Sequence, residues 1–147
     1  MAYTFFTDRD LGRKVPDALA AAGYRVERHD DHFDPLALDT TWIREAGKRG
    51  WISFSHNRDI RYRTQERDMV MRAGVSLFLL IGHATHDDLA RNLVQTMPKV
   101  LNLLARRQPP FIAKVYRPSP VEAVSEGKPG RVEVWLDRER WREIVDR

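Results

Sequence analysis

Apolar and polar positions along this chain change period several times, and the changes mark its elements. Tyr3 to Thr7 carries Phe5 and Phe6 in a short uncharged β-prone run, the form of a strand buried on both faces of a parallel sheet. Arg13 to Ala22 sets Val15 and Leu19 at helical spacing, with Pro16 tolerable in a first turn and Gly23 as a stop. Tyr24 to Arg28 alternates as a second strand, followed by a polar loop from His29 to Pro35. Asp39 is expected to N-cap a helix running to about Gly47, with Trp42, Ile43 and Ala46 on its inner face. Trp51 to Ser55 reads as a third strand, and Arg61 to Arg72 as a charged helix or an extended loop. Val75 to Ile81 is the most apolar run and the expected central fourth strand. Thr85 to Arg107 carries one stripe of Leu89, Leu93, Met97, Val100, Leu101 and Leu104, with Pro98 expected to kink or split the helix. Phe111 to Tyr116 makes a fifth strand.

The pattern shifts at Pro118. Pro118, Pro120, Gly127, Pro129 and Gly130 mark a linker or long loop. Arg131 to Leu136 then alternates like an edge strand, and Asp137 to Arg147 makes a short charged helix. Strands alternating with helices predict an α/β domain over residues 1–117, with residues 118–147 as a C-terminal extension.

Composition narrows the picture. A length of 147 residues suits one such domain, and 42% hydrophobic content suffices for a core. The absence of cysteine excludes disulfides and thiolate metal sites. No apolar run is long enough to span a bilayer and no signal segment opens the chain, so a cytoplasmic location is expected. A net charge of +4, carried mostly by arginine, suits a polyanionic partner around an acidic pocket.

The acids fall at recurring topological places. Asp8 follows the first strand, with Asp10 two residues on; Asp39 opens the helix after the second; Asp59 follows the third, next to Asn57. In open α/β sheets ligands sit beyond the carboxyl ends of the strands, and right-handed crossovers bring those ends to one edge. Taken singly, Asp39 reads equally well as a helix cap, and Asp59 as a loop acid paired with Arg58 or Arg61. Their recurrence is the more specific signal.

The runs FFTDRDLGRK and DTTWIREAGKRGWISFSHNRDIRY resemble the PIN-like nuclease domains, in particular the toxin-type branch related to VapC, over roughly Tyr3 to Tyr116. The resemblance implies a three-layer α/β/α, Rossmann-like fold with a mainly parallel central sheet of about five strands. It implies a ribonuclease using Mg²⁺ or Mn²⁺, acting as the toxin of a toxin–antitoxin pair. Its partners would be an RNA substrate and a small cognate antitoxin, with a homodimer as a further assembly. Carried over, Asp8, Asp39 and Asp59 match metal-binding acids, and Ser55 the hydroxyl residue that often starts the third motif. Asn57 stands where the family usually has an acid, which would weaken a second metal site unless Asp10 supplies the charge. Hard divalent cations prefer such oxygen donors. Arg9, Arg13, Lys14, Arg58, Arg61 and Arg63 flank the acids and are candidates for phosphate contacts, although a solvated arginine surface reads as well.

Three rivals are kept. Asn57 favours a catalytically weakened PIN-like module that only binds RNA or protein. Asp8 and Asp10 have the spacing of a haloacid-dehalogenase-like phosphatase, but Asp87 and Asp88 do not directly follow a strand as its late acids should. His29 with His32, and His83 with His86, raise a zinc reading that lacks further support in the pattern.

Overall fold

The computed structural model describes residues 2–119 and 127–146. Residues 1 and 147 lie outside the described residues, as do Pro120 and the rest of the expected loop through residue 126.

The first three strands end in polar residues, and each passes at once into a tight 3₁₀ turn. β1 (Thr4–Thr7) leads to a turn over Arg9–Leu11, then α1 (Lys14–Ala21). β2 (Arg25–Arg28) leads to a turn over His29–Asp31, then α2 (Asp39–Arg49). β3 (Ile52–Ser55) leads to a turn over Arg58–Arg61, then α3 (Thr64–Ala73). β4 (Ser76–Ile81), α4 (His86–Arg106), β5 (Phe111–Tyr116), β6 (Val132–Asp137) and α5 (Arg138–Val145) complete the chain.

The six strands form one sheet in the order β2-β1-β3-β4-β5-β6. The first five are parallel, and β6 runs antiparallel to β5. Strand direction of winding reverses between β1 and β3. In doubly wound sheets of this order that switch point is where ligands bind.

Both faces of the sheet are covered, which gives the expected three layers. On one face Phe5, Phe54, Phe78 and Phe111 pack with Leu19 of α1 and Leu93, Met97 and Val100 of α4. On the other, Phe6, Leu77, Leu79 and Ile112 meet Trp42, Ile43 and Ala46 of α2 and Val70 and Met71 of α3. Phe6 and Phe5 alternate to opposite faces, stacking on Trp51 at 5.3 Å and on Phe54 at 5.6 Å between ring centroids. Each such buried ring contributes roughly 1.5–3 kcal/mol relative to exposure.

The helices depart from the sequence expectations in two places. Asp39 is the first residue of α2, not its cap; Leu38 holds the cap position and makes no side-chain capping bond. α4 runs unbroken through Pro98, because its strongly amphipathic stripe, with Met97 and Val100 fully buried, holds it to the sheet on both sides of the proline. The extension joins the same sheet: Leu136 of β6 pairs in register with Ile112 and is buried. α2 and α3 touch backbone to backbone, since a Cβ on Gly47 would overlap the carbonyl oxygen of Ala73. A glycine inside a helix costs about 1 kcal/mol relative to alanine, and this close approach is what requires it.

Candidate active site

A cleft of about 630 Å³ opens at the β1/β3 switch point, lined by Asp8, Arg9, Asp10, His29, Pro35, Ala37, Asp39, Asn57 and His86.

Asp8 sits at its floor, buried at the exit of β1. Its Oδ1 accepts from the backbone N–H of Arg9 at 2.7 Å, and its Oδ2 from the Ser55 hydroxyl at 2.8 Å. The 3₁₀ turn that Asp8 caps brings Asp10 back over the exit of β3, where the N–H of His56 donates to both carboxylate oxygens at 3.2 Å. Asp39, freed from capping, accepts from the indole N–H of Trp42 at 3.0 Å and from the side-chain amide of Asn57 at 3.1 Å.

Three carboxylates thus face one cleft. Among the described residues none of the three is ion-paired to a lysine or arginine. Burial first, then the charge of Asp10, pushes the Asp8 carboxyl up to about 7, against the pull of its Ser55 hydrogen bond. Asp10 is raised to about 6 by desolvation, opposed by the His56 N–H and reinforced by the charge of Asp39. Asp10 keeps an open side toward the cleft, where solvent screens it, so Asp8 carries the larger effect.

The other candidates divide clearly. Asn57 lines the cleft, while its neighbour Asp59 does not: the turn carries Asp59 outward, its side chain 70% exposed and 3.7 Å from Arg63. Ser55 is fully buried, so it braces Asp8 and is closed to a substrate. Lys14 is tied to Asp87 at 2.9 Å, and Asp88 to Arg91; neither late acid lines the cleft. Arg9 lines the cleft and reaches the Pro35 carbonyl at 3.4 Å. The guanidinium groups of Arg13 and Arg58 have no carboxylate partner among the described residues. Arg61 instead lies over the rings of Tyr62 and Trp135.

The histidine pairs do not act as pairs. His32 bonds Glu27 at 2.8 Å, while His29 is buried on the cleft wall between Phe6 and Phe33. His86, at the start of α4, bonds the Asp10 backbone carbonyl at 3.1 Å. His29 and His86 were not singled out as cleft residues by sequence, because their nearness to Asp8 depends on sheet order and not on any local spacing.

The donor set suits a hard cation: carboxylates and an amide, with no soft ligand. Among the described residues no three His, Asp or Glu side chains are gathered at the spacing of a ready-made metal site. Asp8 and Asp39 each accept one protein hydrogen bond per carboxylate oxygen, which holds the groups in place and leaves a second lone pair on each oxygen for an ion.

A family model, that of the PIN-like domain, matches residues 3–82, over half of the chain. No curated protein and no solved structure matches the chain. No helix among the described residues is long and apolar enough to cross a membrane.

Proposed function

The chain belongs to the PIN-like domain family, and we propose on that footing that it is a ribonuclease dependent on Mg²⁺ or Mn²⁺. The observation that carries this reading is the group of Asp8, Asp10 and Asp39 around one cleft, none of them ion-paired to a lysine or arginine among the described residues. Such a group is repulsive by itself and becomes favourable with a divalent ion.

The three carboxylates are the residues that would hold the ion. When bound, it would acidify a water and neutralise charge on the attacked phosphodiester. Ser55 fixes the Asp8 carboxylate, the His56 N–H fixes Asp10, and Trp42 with Asn57 fixes Asp39. Asn57 therefore serves as a positioning residue for Asp39, its amide oxygen already accepting from the N–H of Asp59 at 3.3 Å. Arg13 and Arg58, without a carboxylate partner among the described residues, are the cations assigned to phosphates of the strand, and Arg9 would join them by giving up its exposed pairing with Asp30 at 3.9 Å.

We further propose that the activity is that of a toxin held in check by a small antitoxin protein. Expression of the chain alone would then slow growth, and a strain expressing Asp8→Asn would grow normally. Equal growth of the two strains removes the toxin reading and leaves the nuclease reading standing.

The nuclease itself is tested by the same substitution in vitro. Asp8→Asn should abolish cleavage of single-stranded RNA in Mg²⁺ or Mn²⁺ while keeping the fold. Unchanged cleavage by that variant overturns the assignment. The alternative, a binding module without catalysis, draws on Asn57 in place of an acid, and RNA binding without cleavage at any Mn²⁺ concentration would favour it.

A further inference from the structure

Beyond the cleft, the chain after β3 presents an aromatic surface with no part in the acid cluster. Tyr62 follows the 3₁₀ turn over Arg58–Arg61 and is 65% exposed, an unusual degree for a tyrosine ring. It meets Trp135 of β6 in a T-shaped pair, with ring centroids 5.9 Å apart and planes at 84°. The Arg61 guanidinium lies 4.8 Å from the Tyr62 ring centroid and 5.8 Å from that of Trp135. Its Nε donates to the Arg58 carbonyl at 3.1 Å, which fixes the stack. At about 2 Å rise per residue, the turn places Tyr62 within roughly 10 Å of Asn57 at the cleft wall.

We propose that Tyr62, backed by Arg61 and Trp135, is a stacking shelf for an unpaired base of single-stranded RNA whose backbone enters the acid cleft. The proposal rests on the ribonuclease reading and adds how substrate is gripped. Three features support it. Unpaired bases stack on tyrosine faces and arginine planes regardless of sequence. The ring is pre-oriented by Trp135 and the cation, so little side-chain freedom remains to be lost on binding. Arg58, whose backbone carbonyl holds Arg61 in the stack, has no carboxylate partner for its guanidinium among the described residues, which suits a flanking phosphate. The shelf also gives β6, which lies outside the family match, a part in substrate binding.

The test measures binding of a labelled single-stranded oligoribonucleotide in EDTA, so that cleavage plays no part, alongside cleavage of the same RNA in Mn²⁺. Tyr62→Ala should weaken binding about tenfold and Tyr62→Phe should keep it. On an oligonucleotide lacking its bases, wild type and Tyr62→Ala should bind alike. Circular dichroism and melting temperature confirm that the variants fold, and Trp135→Phe should show a smaller loss than Tyr62→Ala. Equal binding of wild type and Tyr62→Ala to normal RNA, with cleavage intact, overturns the shelf and leaves the nuclease. A tenfold loss without any Mn²⁺-dependent cleavage by wild type upholds the shelf and overturns the nuclease. Absence of RNA binding by wild type overturns the shelf.

Discussion

The Ser55 hydroxyl donates to Asp8 Oδ2 at 2.8 Å and accepts the backbone N–H of Asn57 at 3.0 Å, so one buried oxygen couples the exit of β1 to that of β3. Ser55→Ala removes a bond that favours ionised Asp8 and leaves the Asn57 N–H without that acceptor. Breaking buried hydrogen bonds of this kind costs about 1–3 kcal/mol. The expected outcome is a lower melting temperature and a cleavage profile displaced to higher pH. Ser55→Thr, which keeps the hydroxyl, should recover the profile; a profile unmoved in Ser55→Ala would detach Ser55 from Asp8's chemistry.

Asp10 and Asp59 exchange the weights that linear spacing suggests. Asp10 shares the cleft and is electrostatically linked to Asp8 and Asp39, whereas Asp59 faces solvent beside Arg63. Asp10→Asn should reduce metal-dependent cleavage more than about a hundredfold, beyond what loss of a supporting residue produces. Asp59→Asn should stay close to wild type. The reverse order, read from initial rates at saturating Mn²⁺, would return Asp59 to the site.

Metal-free protein should lose stability as pH rises. Asp8 and Asp10 have folded-state pKa values raised to about 7 and about 6, so the folded protein holds protons that the unfolded chain has released above its ordinary carboxylate range. Stability contributed this way is full at low pH and declines between about 4 and 7. The lowered groups, Glu45 and Asp137, gain their effect as pH rises toward their ordinary values of 4.5 and 3.8, which leaves the range from pH 5 to 8 to the raised pair. Melting curves in EDTA should fall by several degrees between pH 5 and 8, and Asp8→Asn should flatten the fall. A melting temperature that climbs across this range contradicts the repulsive cluster.

Asn57→Asp separates a donor from a ligand. The Asn57 amide donates to Asp39 Oδ2, and an acid at that place would set two carboxylates face to face. Like charges at 4 Å repel by about 4 kcal/mol at an effective dielectric of 20, before hydration reduces it. Without metal the variant should melt below wild type at pH 8, with the gap closed by millimolar Mn²⁺. A variant as stable as wild type in EDTA would mean that the amide bond contributes little to holding Asp39.

Hydrophobic period alone carried the layers far. Phe5, Phe6 and the run through Ile81 were legible as doubly buried strands because each sits in an uncharged block, and Asp8 was legible as a strand-end acid. What stayed hidden depends on tight turns and distant pairs. Nothing in the run Asp8-Arg9-Asp10 says that Asp8 will cap a 3₁₀ turn and fold Asp10 back toward His56. The same geometry after β3 turns Asp59 outward while Asn57 stays in. Asp39 looked like a cap because it opens a helix; Trp42, one turn along, and Asn57, 18 residues away in sequence, claim its oxygens instead. Tyr62 meets Trp135 across more than 70 residues, beyond the reach of any local pattern.

The bare contact between Gly47 and Ala73 has a consequence for how the cleft tolerates change. α2 begins with Asp39, and α3 follows the turn that leaves Asn57, so the seam between these helices sets the spacing of two cleft residues from the far end. Even a single methyl group at position 47 would act as a wedge driven between two levers. Its displacement would be felt at the mouth of the cleft, although the residue touches nothing there. The seam is therefore the place to look for variants that keep every cleft residue and still lose the spacing between them.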